Sequence, residues 1–219
     1  MRLPTLEKSR LSSTKAVVFA LAIGTALATG TGSIKSFAEE QTTILAGGCF
    51  WCVEADLQKL DGVSDAVSGF SGGTLLNPSY RGNHEGHYEV VEVTYDDEVI
   101  SYETLLRYFL RHIDPLDADG QFCDRGFSYK TAVFVANEEE RSVAEKAIAE
   151  IDDLFPEETV ATVVLPSGRF WPVEEYHQEF ATKNPLRYKY YRWNCGRDQR
   201  VSALWEDKAW GRLEVLAEN

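Results

Sequence analysis

The apolar residues of this chain follow two different periodicities. Short alternating or β-branched runs bounded by glycine and polar residues predict strands at 42–46, 62–70, 87–95, 129–135 and 159–165. Longer segments predict helices at 53–60, 102–110, 138–154 and 171–180, and a short one around residues 204 and 205. Because strands and helices mix without strict alternation, the pattern predicts one α+β domain over residues 40–219, with a mixed β-sheet and flanking helices.

Two helix starts and one strand face stand out in this pattern. Ser101 and Asn137 are residue types that cap helices, and each directly precedes a predicted helix. In the strand at 87–95, alternation places Glu89 on the same face as Val91 and Val93. A carboxyl group on an apolar strand face is unusual, so Glu89 is a candidate functional residue.

The first 38 residues differ from the rest of the chain. A positive start is followed by an apolar run at 16–28 and by small residues at Ser36 and Ala38. This order is typical of a secretory signal peptide that is cleaved after export, here towards a periplasm. The alternative is an uncleaved membrane anchor, although the run is short against the roughly 20 residues that a spanning helix needs.

The net charge of the chain argues against one class of function. The chain has 219 residues, with 22 Lys and Arg against 35 Asp and Glu. Without residues 1–38, 17 basic and 34 acidic residues remain, a formal net charge of −17. Such a balance argues against nucleic-acid binding, which depends on neutralising phosphates with basic residues.

The candidate chemistry lies in the run Gly47-Gly48-Cys49-Phe50-Trp51-Cys52, between a predicted strand and a predicted helix. A thiol in the first turn of a helix faces unpaired N–H groups, which are expected to lower its pKa. With a second thiol three residues on, the run predicts a redox nucleophile at Cys49. The alternative use of the four cysteines, which include Cys123 and Cys195, is two structural disulfides.

Two other classes of protein compete with this interpretation. A thioredoxin-like disulfide oxidoreductase also carries a Cys-x-x-Cys motif, but two aromatic residues lie between the cysteines here. A four-cysteine zinc module would need a second close pair, whereas Cys123 and Cys195 are 72 residues apart.

Five motifs in order resemble the peptide methionine sulfoxide reductase A family. They are Gly48-Cys49-Phe50-Trp51, Asn77-Pro78-Ser79-Tyr80, Gly86-His87-Tyr88-Glu89, Asp114-Pro115 followed by Asp124-Arg125-Gly126 and Tyr129, and the block from Phe170-Trp171-Pro172 through Tyr176-His177-Gln178 to Lys183-Asn184-Pro185. The resemblance covers the whole chain after residue 40. It implies a ferredoxin-like sandwich and a reductase of methionine (S)-sulfoxide, free or in proteins.

The resemblance also implies roles for individual residues. Cys49 would be the nucleophile and Glu89 the acid that protonates the departing oxygen. The substrate-binding residues would be Phe50, Trp51, Tyr80, Asp124 and Tyr129, with Asp124 orienting the network around Tyr129. His177 is expected to make a structural hydrogen bond. The implied partner is thioredoxin or a thioredoxin-like reductant, and no metal or organic cofactor is expected.

Attack by Cys49 would leave a sulfenic acid, which a second thiol condenses into a disulfide. Cys52 is three residues from Cys49, close enough for such a bond. Cys195 is the alternative, acting either first or later in a relay. The sequence leaves this order open and assigns no role to Cys123.

Overall fold

The computed structural model describes residues 40–206, which contain eight strands, six α-helices and two short 3₁₀ helices. The strands are β1 (Glu40–Gly47), β2 (Val63–Ser71), β3 (Tyr88–Asp96), β4 (Gly120–Gln121), β5 (Asp124–Arg125), β6 (Thr131–Val135), β7 (Val163–Pro166) and β8 (Trp171–Pro172). The α-helices are α1 (Phe50–Leu57), α2 (Tyr102–Leu110), α3 (Glu138–Leu154), α4 (Phe180–Lys183), α5 (Pro185–Asn194) and α6 (Arg197–Trp205). The 3₁₀ helices are Phe127–Tyr129 and Glu175–His177.

Six of the strands form one mixed sheet in the order β7-β6-β1-β3-β2-β8. All neighbours are antiparallel except β6 and β7, which are parallel. Strands β4 and β5 pair separately as a small hairpin. The α+β class and the mixed sheet with flanking helices are therefore confirmed.

The register of the central strands brings distant residues to one edge of the sheet. Leu45 of β1 lies opposite Val91 of β3, and continuing this antiparallel register places Glu89 opposite Gly47. On the other side of β1, Gly47 pairs with Thr131 at the start of β6. The end of β1 and the starts of β3 and β6 therefore meet where α1 begins.

The two faces of the sheet have separate cores. On one face, Leu45, Val91 and Val133 pack with helices α1, α2 and α3 in the main cluster. On the other face, Ile44 and Phe134 belong to a smaller cluster, against which Leu165 of β7 and Phe170 pack. Glu89 is 1% exposed, so the alternation correctly predicted a carboxyl group on a buried face.

Several predicted boundaries are right, and one element is wrong. Ser101 and Asn137 accept hydrogen bonds from Thr104 N–H and Glu140 N–H, and helices α2 and α3 end where predicted. The predicted helix at 171–180 is instead strand β8 followed by a 3₁₀ helix. Strand β8 pairs beside Gly69, where an added Cβ would lie 2.4 Å from the Phe170 ring, so this glycine leaves room for the segment.

The short helix α4 and helix α5 were both missed, and one further prediction concerns residues that the structure does not describe. Helix α5 follows Pro185, a residue that suits the first helical position, but its mixture of tyrosines and basic residues conceals the apolar period. The signal-peptide prediction for residues 1–38 lies outside the described residues. Within 40–206, no helix combines the length and apolarity that crossing a membrane requires.

Candidate active site

The turn between β1 and α1 positions the predicted nucleophile. Gly48 has a φ of +82°, and an added Cβ there would lie 2.5 Å from Cβ of Gln121, so the turn requires glycine. Cys49 is the N-cap of α1, and its carbonyl accepts hydrogen bonds from Cys52 N–H at 3.0 Å and Val53 N–H at 3.3 Å. Cys49 is 7% exposed and therefore buried.

Cys49 and Cys52 form a buried pair of free thiols. Burial raises the pKa of Cys49 well above its usual value, and the neighbouring Cys52 and Glu89 raise it further. The hydrogen bond from Cys49 lowers the pKa of Cys52, helped by the charges of Arg197 and Arg192. The expected lowering of the Cys49 pKa is therefore wrong for the resting pair, because burial and the shared proton outweigh the helix terminus.

Glu89 sits directly against the start of α1. Its Oε2 accepts a hydrogen bond from Phe50 N–H at 3.2 Å, and its carboxyl group also bonds the Tyr129 hydroxyl. Burial raises the pKa of Glu89 to about 8, and the charges of Asp124 and Cys52 add to the increase. Glu89 therefore keeps its proton near neutral pH. Its carboxyl group bonds the N–H of Phe50, the residue that directly follows Cys49.

Two tyrosines complete the polar side of the site. Burial raises the pKa of Tyr80 to about 12, and the charges of Glu89 and Cys49 act in the same direction. The pKa of Tyr129 is also raised by burial and by Glu89. Both hydroxyls therefore stay protonated and can donate hydrogen bonds to an oxygen held beside Glu89.

Aromatic rings form the apolar side. The rings of Phe50 and Tyr80 have centroids 6.1 Å apart, and Trp51 stacks on Phe180 at 3.7 Å. Trp51 Nε1–H donates to His177 Nδ1 at 3.0 Å, which places the proton of neutral His177 on Nε2. The hydrogen bond of His177 fixes the orientation of the Trp51 ring, as expected of a structural histidine.

Tyr191 is a site residue that sequence reasoning missed. Its hydroxyl bonds Cys49 and donates to Asp124 Oδ2, and its ring packs edge-on against Trp51 at 5.7 Å. Asp124 was expected to orient Tyr129, but its hydrogen bond comes from Tyr191 instead. The available signal was position: Tyr191 lies one helical turn before Cys195, a cysteine already singled out.

The other two cysteines are joined. Cys123 and Cys195 form a disulfide with a Cα–Cα distance of 4.9 Å, and Sγ of Cys195 lies 3.7 Å from Asp124 Oδ2. Cys195 is therefore not a free thiol in this state, and Cys123, which had no assigned role, is its exposed partner. Within the described part of the chain, the four cysteines form two pairs of different oxidation state instead of a four-thiolate zinc cluster.

The geometry agrees with the relatives of this chain. The family model for peptide methionine sulfoxide reductase matches residues 41–209. The peptide methionine sulfoxide reductase MsrA 2 of Rhizobium meliloti (strain 1021) is 47% identical over 176 residues, covering 79% of this chain and 87% of the relative. MsrA 2 of Caulobacter vibrioides is 43% identical, covering 86% and 96%.

Solved structures give the same answer. The reduced form of Mxr1 from Saccharomyces cerevisiae superposes with a TM-score of 0.63 at 29% identity, over 68% of this chain and 88% of that one. Methionine sulfoxide reductase A of Corynebacterium diphtheriae gives 0.60 at 26% identity, over 69% and 78%. With the buried thiol, the protonated carboxyl group and these matches in agreement, the chain belongs to the peptide methionine sulfoxide reductase family.

Proposed function

We propose that this enzyme reduces methionine (S)-sulfoxide, free and in proteins, with Cys49 as nucleophile and Glu89 as acid. The observation that carries the proposal is the buried Glu89 carboxyl group, bonded at 3.2 Å to the N–H of the residue that follows Cys49. A sulfoxide oxygen leaves only when it is protonated, so the reaction needs a proton donor beside the attacking sulfur. Glu89, held protonated by its burial, supplies that proton.

The sulfur chemistry proceeds in two steps. In the first, the Cys49 thiolate attacks the sulfoxide sulfur while Glu89 protonates the oxygen. The bond between the oxygen and the substrate sulfur then breaks and the oxygen bonds to the Cys49 sulfur, so methionine leaves reduced and Cys49 becomes a sulfenic acid. In the second, Cys52 sulfur attacks Cys49 sulfur, forming the Cys49–Cys52 disulfide and releasing the oxygen as water. One sulfoxide and two thiols thus become one methionine, one disulfide and one water.

The protonation states of the pair fit these steps. The hydrogen bond from Cys49 to Cys52 provides a path for the Cys49 proton to move to Cys52 as the substrate arrives. The one hydroxyl proton of Tyr191 then turns from Asp124 to the Cys49 anion and stabilises it, and this hydrogen bond lowers the Cys49 pKa. With Cys195 bonded to Cys123, we assign the first resolving step to Cys52, and Cys195 becomes a thiol only after that disulfide is reduced.

Substrate recognition follows from the two sides of the site. Phe50 and Trp51 offer apolar ring faces to the methyl group on the sulfoxide sulfur. Tyr80 and Tyr129 donate to the oxygen as negative charge develops on it, which favours the transition state. Asp124 contributes indirectly by holding the Tyr191 hydroxyl. Because methyl and oxygen bind on opposite sides, the site distinguishes the two configurations at sulfur.

The decisive experiment separates the two configurations. Protein beginning at residue 39 is incubated with dithiothreitol and either the S or the R form of methionine sulfoxide, and methionine is quantified. We expect product from the S form alone. Absence of product from both forms contradicts the reductase proposal, and product from the R form alone contradicts the proposed stereochemistry.

The resolving step has its own test. Cys52→Ser and Cys195→Ser are each mixed with excess sulfoxide without reductant, and methionine is counted per enzyme. Cys52→Ser is expected to form one methionine and stop at a sulfenic acid that dimedone traps, whereas Cys195→Ser forms the Cys49–Cys52 disulfide. A thioredoxin-like exchanger would instead lose all methionine formation in Cys52→Ser. A trapped sulfenic acid in Cys195→Ser would reverse the order.

We also propose that thioredoxin or a related protein returns the enzyme to its reduced form. Export remains part of the proposal and rests on the charge and apolarity of residues 1–38. Mass determination of the mature protein after fractionation tests it. Cleavage after residue 38 with recovery from the periplasm supports export, and an intact chain in the cytoplasm contradicts it.

A further inference from the structure

Helix α5 contacts the catalytic cysteines with its inner face and carries an exposed apolar surface on its outer face. Five large apolar side chains within residues 40–206 are more than half exposed, and three of them lie on this helix: Leu186 is 84% exposed, Tyr190 66% and Trp193 65%. Their spacing of four and three residues places them on one face, which we call the α5 stripe. The rings of Tyr190 and Trp193 also contact each other, with centroids 6.1 Å apart.

The opposite face of α5 lines the active site. Tyr191 bonds Cys49, and Tyr188 is buried in the cluster that contains Cys52. The helix ends at Cys195, whose disulfide partner Cys123 is exposed. A molecule bound to the α5 stripe would therefore lie across α5 from the buried thiol pair, and Trp193 at the end of the stripe is two residues from the disulfide-bonded Cys195.

The charge around the stripe is opposite to that of the whole protein. The chain has a formal net charge of −13, yet from residue 180 to 197 it carries five Lys and Arg and no Asp or Glu. Two of these, Arg187 and Lys189, are exposed and form no ion pair with any carboxylate of the described residues. An acidic partner is repelled by most of this protein and attracted here, which selects one orientation of approach.

A groove next to the stripe extends this surface. It lies between α1 and α5, has a volume of about 480 Å³, and is lined among others by Lys59, Pro185, Tyr188 and Lys189. Lys189, which forms no ion pair within the described residues, suits an acidic side chain, whereas Lys59 is already bonded to Asp56 at 2.9 Å; Pro185 with Tyr188 offers an apolar floor. Apolar anchors surrounded by charge are the usual composition of a protein docking site.

We propose that the α5 stripe and its basic flank dock the thiol–disulfide reductase that regenerates this enzyme, a thioredoxin-class protein whose docking face is apolar with an acidic rim. The inference rests on the proposed function, since only a disulfide-forming enzyme needs this partner. In the docked complex the dithiol of the reductase becomes a disulfide as the Cys123–Cys195 bond becomes two thiols. These two thiols then reduce the buried Cys49–Cys52 disulfide to two thiols and re-form their own bond.

The test compares two reductants on the same variants. Turnover of methionine sulfoxide is measured with dithiothreitol, which needs no docking, and with an acidic thioredoxin regenerated by its reductase and NADPH. The apolar variant is Leu186→Ser with Tyr190→Ser, and the charge variant is Arg187→Glu with Lys189→Glu. Each is expected to lose roughly tenfold in kcat/KM for thioredoxin, with dithiothreitol turnover unchanged.

Matched controls lie on other surfaces. Val99→Ser with Leu154→Ser removes two exposed apolar side chains elsewhere, and Arg141→Glu with Lys146→Glu makes the same charge change on α3. Both should keep wild-type kinetics with thioredoxin. Added salt should weaken thioredoxin use by the wild type and much less by the charge variant.

The outcomes separate the two proposals. Loss of activity with thioredoxin alone supports docking at α5, and equal kinetics of variants and wild type with thioredoxin overturn it. If the variants instead lose sedimentation with vesicles of anionic phospholipid while thioredoxin kinetics stay normal, the stripe binds a membrane surface and the docking proposal is wrong. Absence of dithiothreitol turnover in the wild type contradicts the reductase function itself.

Discussion

The two cysteine pairs of this protein share one set of neighbours and differ in almost everything else. Cys49 and Cys52 are free, buried and close in sequence, whereas Cys123 and Cys195 are bonded, nearer the surface and 72 residues apart. Asp124 and Tyr191 lie between the pairs, since Tyr191 bonds Cys49 and Asp124 contacts Cys195. Chemistry at the buried pair is therefore set by its surroundings, while the outer pair ties two distant chain segments together.

The difference lies in which group controls each pair. Burial and the hydrogen bond between the two thiols set the pKa values of Cys49 and Cys52. Cys49 therefore loses its proton, and becomes nucleophilic, only as a substrate arrives. The outer disulfide joins the β4–β5 hairpin region to the end of α5, and it constrains that connection while it is formed. Cysteine count alone would not separate these functions.

The contrast between the two cysteine pairs is wrong if Cys49 is not needed for methionine formation. Replacing it, Cys49→Ser, is expected to lower methionine formation by about 10⁴-fold or more, because the nucleophile of a covalent mechanism is lost. Methionine is measured with dithiothreitol as reductant. Cys123→Ser serves as the control and should remain active, and a Cys49→Ser enzyme with more than a tenth of wild-type activity contradicts the assignment.

The outer disulfide should also stabilise the fold. A bond closing a loop of 72 residues is expected to contribute about 4 kcal/mol to the free energy of unfolding. Urea denaturation of Cys123→Ser with Cys195→Ser, monitored by circular dichroism, measures this loss. Wild type in dithiothreitol should show the same change, and a loss below about 1 kcal/mol would mean that the bond is not a structural constraint.

Glu89→Gln tests the acid beside the buried pair. Turnover should fall about 10²-fold, because general acid catalysis is removed while the amide keeps the shape of the side chain. In the wild type, kcat should decrease as pH rises through about 8, where Glu89 loses its proton. This decrease should be absent in Glu89→Gln, and its persistence there would assign the titration to another group.

The same residue predicts a pH dependence of folding. Glu89 holds its proton up to about 8 in the folded protein, against an ordinary value of 4.5 when unfolded. The folded state therefore binds more protons across that interval, and its stability should decrease as pH rises from about 4.5 to 8 and then level off. Unfolding free energies of wild type and Glu89→Gln across this range measure the contribution, which the variant should lack.

The smallest expected effect concerns Tyr191, which lies between the two cysteine pairs. Tyr191→Phe removes the hydroxyl that lowers the Cys49 pKa, so this pKa should rise and turnover at neutral pH should fall roughly tenfold. The rate of Cys49 alkylation against pH, measured in the Cys52→Ser background, reports the change directly. The neighbouring Tyr190→Phe, on the exposed face, should leave the alkylation profile unchanged.

The sequence predicted those parts of the site that depend on local pattern. Alternation with period two was enough to place Glu89 on a buried face, and glycines before Cys49 indicated the turn. That Glu89 and Cys49 would meet depended on the register between β1 and β3, which local pattern does not contain. The resemblance to a family supplied this step.

Other parts could not be predicted for physical reasons. Connectivity among four cysteines cannot be deduced from sequence, and the Cys123–Cys195 bond joins segments that only the fold brings together. Tyr191 was missed because tyrosine and arginine side chains combine an apolar body with a polar end, so the inner and outer faces of α5 look alike in the sequence. The segment at 171–180 was misassigned because pairing with β2 determines its conformation.

Gly48 restricts which amino acids this enzyme can carry at the turn before Cys49. Any side chain there would press on Gln121, which is fully buried and bonds both the N–H and the carbonyl of Asp114, at 2.9 and 2.6 Å. Asp114 in turn pairs with Arg200 of α6 at 2.6 Å. A single added methyl group would thus disturb the turn before Cys49, the β4–β5 hairpin and helix α6 at once. We therefore expect almost no substitution of Gly48 to be tolerated.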